Sequence, residues 1–266
     1  MRTLAADIKE MIQEQIDFRE LLYQMTRRDL MLRYKQTIMG FGWAVFMPLL
    51  NTILFSVVFA KVGNFDVGVP YPVYAYCGLL AWNFFASSLR FSVNSLTSNI
   101  NLVAKVYFPR EIFPFSAVIV SAVDFAVGSI LLAGLMIWYG IPVTAAILFL
   151  PVVLLIQVIF TAAVALLLAL ANLFFRDVKY LFEVIIMVWM FATSAIYPVD
   201  RFEGPVKWII AANPMTPIID GYRAVLLRGT LPDMLGLSAA AAVSIVLLSV
   251  GWVLFHRSEY RFAEFI

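Results

Sequence analysis

One cysteine and one histidine, Cys77 and His256, stand in 266 residues. A zinc motif, a Cys–His pair and a disulfide framework each need more than that within one chain. A Ser–His–Asp triad would have to use His256, close to a basic end of the sequence, and Cys77 reads as a small buried hydrophobe. Charge is scarce too. Asp, Glu, Lys and Arg make up 14% of the residues, against about 25% in soluble domains. A net charge of +2 leaves no electrostatic footprint for nucleic acid. No G-x-x-x-x-G-K-[ST] run occurs, so the chain alone cannot cradle ATP in a phosphate loop. Catalytic residues, a metal site and a cofactor in this chain are therefore not expected.

What the sequence has is apolar length. Hydrophobic residues reach 63% and aromatic ones 15%. Polar residues this few cannot clothe a water-soluble chain of this size, which predicts an all-α integral membrane protein. Uncharged runs of roughly 20 residues cross about 30 Å of hydrocarbon. They place spans at Gln36–Ala60, Val73–Leu89 (continuing past Arg90), Phe113–Tyr139, Thr144–Phe174, Tyr180–Tyr197 and Met234–Phe255. Phe125 to Phe175 carries no charge over 51 residues; that would be roughly 75 Å of helix, so Gly140-Ile141-Pro142 must break it into a hairpin. The expected organisation is one domain over 1–266: a cytoplasmic amphipathic segment 1–37, spans one to five in 38–198, an outer loop 199–233, span six in 234–256 and a tail 257–266. No apolar stretch in Met1–Glu20 resembles the core of a cleavable leader.

Arg and Lys concentrate in the N-terminal segment, in the second and fourth loops and in the tail. By the positive-inside rule both termini are cytoplasmic. The fifth loop is the exception, with Arg201, Lys207, Arg223 and Arg228 assigned to the outside. Its short apolar stretches, Trp208–Ala212 and Pro217–Ile219, are broken by Asn213-Pro214 and Pro217 and suggest re-entrant or interfacial helices.

Phe18, Leu21, Leu22 and Met25 recur at helical spacing before the first span, predicting an amphipathic helix in the headgroup plane. Its basic end, Arg27, Arg28, Arg33 and Lys35, either sets topology or meets an anionic lipid headgroup such as a diphosphate. The second loop carries an apolar stripe, Leu102, Val106 and Tyr107, closed by Pro109; it docks a partner or rests on the chain's own surface. Asp124 sits near mid-span, where a carboxylate costs about 2.5–3.5 kcal/mol and needs a partner. Arg90 or a structural hydrogen bond is the expected one, with a proton relay as the rival. Trp43, Phe46, Phe55, Trp189, Phe191 and Tyr197 crowd spans one and five, as an interfacial belt and core or as a ring-lined sugar path.

Several stretches, in order, make the chain resemble the permease subunits of bacterial type-2 ABC transporters that export O-antigen and related polysaccharides, with teichoic acid exporters as cousins. They are Arg27–Thr37, Gly40–Ala44, Pro48-Leu49, Asn101–Arg110, Phe175–Val178, Tyr197-Pro198, Asn213-Pro214 and Gly221-Tyr222-Arg223. The resemblance implies a homodimer in the bacterial inner membrane with two separate ATPase subunits that bind the ATP and Mg. It implies a lipid-linked polysaccharide as substrate, moved outward through a channel at the dimer interface. Leu102, Val103, Lys105, Val106, Tyr107, Phe108 and Pro109 would form the ATPase-coupling helix, and Arg27, Arg28, Arg33 and Lys35 the lipid-diphosphate contact. Trp43, Phe46, Trp189 and Tyr197 would be channel aromatics. Pro198, Asn213, Pro214, Gly221, Tyr222 and Arg223 would belong to an outer gate. Two rivals stand against this. An ion-coupled carrier would use Asp124, and such folds favour inverted repeats, which are not evident. An enzyme acting on a polyprenyl phosphate would have to rely on Asp177 and Glu183.

Overall fold

The computed structural model describes residues 11, 13–35, 37–40, 42–62, 67–105, 108–199, 203–259 and 262. Among these the chain is all α. In order run α1 (Arg19–Tyr34), α2 (Gly42–Val62), α3 (Tyr71–Ser95), α4 (Ile100–Lys105), α5 (Ile112–Trp138), α6 (Leu150–Phe174), α7 (Val178–Phe191), α8 (Pro205–Ala212), α9 (Met215–Arg223) and α10 (Met234–Ser258). A 3₁₀ stretch, Ala145–Phe149, leads into α6, and a π turn, Ala224–Arg228, extends α9.

Local chemistry sets the boundaries. Pro70 precedes α3, and a proline occupies the first turn of α3, of α6 and of α8, where its missing N–H costs nothing. Asp233 caps α10, its carboxylate accepting from the Leu235 and Gly236 amides. The expected hairpin break is present: α5 ends at Trp138, and Gly140 turns the chain at φ +66°, a backbone region that favours glycine. Inside α2, Thr52 Oγ1 donates to the Pro48 carbonyl at 2.8 Å.

Three segments are long and apolar enough to cross a bilayer: Ile112–Trp138, Ala145–Phe174 and Met234–Ser258; Val45–Val57 is a shorter apolar run. These match spans three, four and six of the sequence reading. α3 is 25 residues long but carries Asn83, Ser87, Ser88, Ser92 and Asn94. Those groups are tolerated because α3 is the centre of the bundle, buried from Val73 to Ser95 on most of its faces and packed on α2, α5, α6 and α9. α7 corrects the fifth span. It is 14 residues, about 21 Å, and 192–197 turn instead of continuing the helix.

The main core gathers around α3, with Tyr74, Tyr76, Phe85 and Leu89 fully buried against Phe160, Ile186, Ile218 and Tyr222. Several buried polar groups there are paired. Gln157 donates to the Ala81 carbonyl and accepts from the Tyr222 hydroxyl, both at 2.7 Å, and Asn172 donates to the Val93 carbonyl at 2.7 Å. Gly78 is the tightest joint: a Cβ would stand 2.1 Å from the Ala195 carbonyl oxygen and 2.5 Å from Arg223. A second cluster at the other end holds Leu96, Val103, Phe108, Ile112, Phe113, Leu173, Phe255 and Phe262. Phe18, Leu21, Leu22 and Met25 pack onto this second cluster, so the apolar stripe of the amphipathic helix meets the chain itself.

Candidate functional site: a polar cavity between α1, α2, α3 and α5

α1 is held along α5 by its polar edge. Ser116 Oγ donates to Asp29 at 2.9 Å, and Asp29 also pairs with Arg28 at 2.8 Å. One turn on, Arg33 Nη1 lies 2.6 Å from Asp124, its Nη2 donates to Ser87 Oγ at 3.1 Å, and its guanidinium stands 4.2 Å from the Phe91 ring centroid. The Tyr34 hydroxyl donates to the other Asp124 oxygen. Burial, then this hydrogen bond, pushes the Tyr34 phenol above its ordinary pKa, so it stays a donor at any physiological pH. The last turn of α1 therefore reaches the middle of α5 instead of lying apart from the bundle.

These contacts border a cavity of about 360 Å³. Its wall mixes the charged groups Arg33, Arg90 and Asp124 with Ser87, Ser121 and Asn83, and with the rings of Trp43, Phe84 and Phe125. The Asn83 amide nitrogen is buried and has no hydrogen-bond partner among the described residues. Guanidinium forks, hydroxyls and ring faces together suit a ligand that is anionic at one end and hydroxyl-rich elsewhere.

The structure treats the sequence-derived residues unequally. Of the basic set, Arg33 turns inward to Asp124, Arg28 is taken by Asp29, and Arg27 and Lys35 are exposed. Of the two kinds of partner the sequence suggested for Asp124, it takes a structural hydrogen bond, from Tyr34, and does not pair with Arg90. Arg90 pairs instead with Glu183 at 3.2 Å, at the outer edge of α7, while α1 supplies the partner of Asp124 from ninety residues upstream. Trp43 lines the cavity and meets Phe46 edge-on at 5.7 Å. Trp189 packs among Trp82, Phe85 and Phe160 and donates its indole N–H to Asn213 at 3.1 Å, and the Tyr197 hydroxyl donates to the Phe191 carbonyl.

In α4 and the turn after it, Val103 and Phe108 are buried in the chain's own second cluster, Leu102 packs against it and Pro109 is buried; Ile100 and Asn101 are exposed. The Lys105 side chain, Val106 and Tyr107 lie outside the described residues, as do Arg201 and the start of the first span at Gln36. In the fifth loop, α8 exposes Trp208 and Ile209, and α9 runs straight through Pro217, which the sequence had suggested as a break. Arg223, one of the cations of that loop in the sequence, is fully buried. It donates to the Ser194 and Ala195 carbonyls at 2.5 and 2.6 Å, pairs with Asp220 at 3.2 Å and covers the Tyr74 ring at 3.6 Å. Asn213 ties α7 to α9, donating to the Ala192 carbonyl and Thr193 Oγ1 and accepting from the Met215 amide. Gly221 stands against Val153, and Pro198 and Pro214 are partly exposed.

Sequence reading missed Asn83, Ser87 and Ser121. The signal was present: Asn83, Ser87 and Arg90 fall at i, i+4 and i+7, a polar stripe on an otherwise apolar helix.

A helical bundle with three membrane-crossing segments and a polar cavity beside them is a multi-pass membrane protein. The chain belongs to the ABC-2 type transporter family, which it matches over residues 20–227, and is therefore a transporter component. It is 31% identical over 258 residues to the O-antigen export system permease protein RfbA of Myxococcus xanthus, covering 96% of this chain and 99% of that one. Two Klebsiella pneumoniae proteins of the same name are 32% and 30% identical over 249 residues, 93% of this chain and 95% of theirs.

Proposed function

We propose that this chain is the permease subunit of an ATP-driven exporter that moves polyprenyl-diphosphate-linked polysaccharide, of the O-antigen kind, outward across the bacterial inner membrane. The reading rests on the likeness to three O-antigen export permeases along nearly the whole chain; the Arg33–Asp124 cavity supplies chemistry that suits such a ligand. α2, α3, α5, α6, α7 and α10 make six crossings with both termini cytoplasmic, so that α1 and α4 share the cytoplasmic end. A hydrated glycan cannot cross hydrocarbon without a polar or ring-lined path. The diphosphate head engages α1 at Arg27, Arg28 and Lys35, with Arg33 behind them, while the polyprenyl tail stays in lipid. Two copies of the chain form the path between them, and two ATPase subunits, which hold ATP and Mg, seat on Ile100, Asn101 and the Lys105–Tyr107 stretch. The tightly tied α8–α9 segment closes the outer side.

The test is a pull-down of the chain from native membranes in mild detergent, with stoichiometry and ATP hydrolysis measured on the eluate. An ATPase partner at one copy per permease chain with vanadate-sensitive turnover is expected. A homodimer that carries no nucleotide-binding companion overturns the reading and turns attention to an ion-coupled carrier built on Asp124.

A further inference from the structure

Where the stretch just ahead of α1, the turn before α5 and the end of α10 meet, five charged or titratable side chains face one another. Glu14 comes from the first of these, Arg110 and Glu111 from the second, and His256 and Glu259 from the third. Glu111 is 1% exposed, yet both its carboxylate oxygens lack a hydrogen-bond partner among the described residues. A carboxylate in that position needs a cation or a set of donors. Arg110, its chain neighbour, does not provide them. That guanidinium donates to the Val103 carbonyl at 3.3 and 3.4 Å and leans toward Glu259 at 3.9 Å. The group that faces Glu111 is His256, whose Nδ1 lies 3.5 Å from Glu111 Oε1 and 3.8 Å from Glu14 Oε2, and is likewise buried without a hydrogen bond among the described residues.

We infer that Glu111, His256 and Glu259 form a binding site for a first-row divalent cation of the zinc class, with Glu14 at its edge. One ligand atom from each of the three lies within 4.8 Å of the other two. A tetrahedral ion with bonds of about 2.1 Å holds its ligand atoms about 3.4 Å apart; the His256–Glu111 separation already has that value, and the glutamates close the remainder by rotating. One imidazole with two carboxylates suits zinc and its first-row neighbours, whereas magnesium and calcium prefer all-oxygen shells. Glu259 also accepts from the Arg110 amide at 2.8 Å. The ion would thereby clamp the end of α10 to the turn that follows α4, with the amphipathic helix held alongside.

The experiment uses the full chain solubilised in its native assembly, nucleotide-free, with a purification tag that carries no histidine. Zn²⁺ is titrated calorimetrically, and Co²⁺ is added in parallel for its visible absorption. One Zn²⁺ per chain is expected, with a tetrahedral Co²⁺ spectrum and no competition from excess Mg²⁺. Glu111→Gln and His256→Asn should each weaken Zn²⁺ by more than the roughly 10–100-fold that follows loss of a mere supporting partner, while Glu183→Gln, in a remote exposed pair, leaves it unchanged. If Glu111→Gln fails to fold, His256→Asn and the wild-type Co²⁺ spectrum still decide. Absence of saturable Zn²⁺ binding to the wild type, or binding that both variants keep, overturns the site.

Discussion

At the scale of residues, the pairing of Arg33 with Asp124 carries the most consequence. Both side chains are largely shielded, at 24% and 13% exposure, and Tyr34 closes the second carboxylate oxygen. Removing one partner of a buried pair costs about 3–5 kcal/mol because the other charge is stranded; the remaining contact with solvent lowers that to about 1–3 kcal/mol here. Asp124→Ala should therefore lower the thermal midpoint of the purified chain, and Asp124→Asn, which still accepts from Tyr34, should lower it much less. Export is the second readout. If Asp124 is a tether, the Asn variant retains most export; export abolished with normal ATP hydrolysis would make it a proton relay. That Asp124 needs a partner is legible in the sequence, since mid-span carboxylates are expensive. Which partner it takes is not, because α1 and α5 are distant in sequence and nothing local says that they pack together.

At the scale of elements, helix type and position were largely readable. Long uncharged runs with prolines at their starts and Gly140 at the hairpin can do little but form helices of the observed lengths. α7 was read too long because 192–197 are as apolar as a helix end would be; the chain turns there so that the Ser194 and Ala195 carbonyls can receive Arg223. α4 is a different case. Its stripe of Leu102, Val106 and Tyr107 reads as a docking face in the sequence; Val103 and Phe108 are buried in the chain's own core while Ile100 and Asn101 are exposed, and Val106 and Tyr107 lie outside the described residues. The paired substitution Lys105→Glu with Val106→Asp should uncouple ATP turnover from export while the chain still accumulates in the membrane. The check is ATPase activity and glycan export measured together in proteoliposomes. Unchanged export would remove the coupling role from this segment.

At the scale of the whole molecule, the faces of α2 and α7 remain bare: Leu54 and Ile53 on one, Val184, Val188 and Phe191 on the other, are all at least half exposed. Lipid would satisfy such faces, and so would a second copy of the chain. The proposed channel requires the latter along at least part of them. Single cysteines at Leu54 or Val184, with native Cys77 buried and unreactive, should form homodimers under a short bifunctional reagent in membranes. A cysteine at exposed Ile137, at the far end of α5 near the hairpin, should not. If both α2 and α7 positions stay monomeric, the path does not run between two copies on these faces.

The sequence by itself determined the solvent and the secondary structure, since a chain with 14% charge and runs of twenty uncharged residues can satisfy its backbone in a membrane only as helices. It also carried the family, because motif order survives in one dimension. Only the tertiary structure decided the partners of the rare polar groups. It gave Asp124 to Arg33 and Tyr34, seated Arg223 on Tyr74, aimed Asn83 into the cavity and brought Glu111 from mid-chain to His256 and Glu259 near the end of the sequence. The physical reason is the range of the forces involved. Hydrophobic periodicity is written within a few turns of one helix, whereas a buried charge is neutralised by whichever group three-dimensional packing delivers, at any separation in sequence.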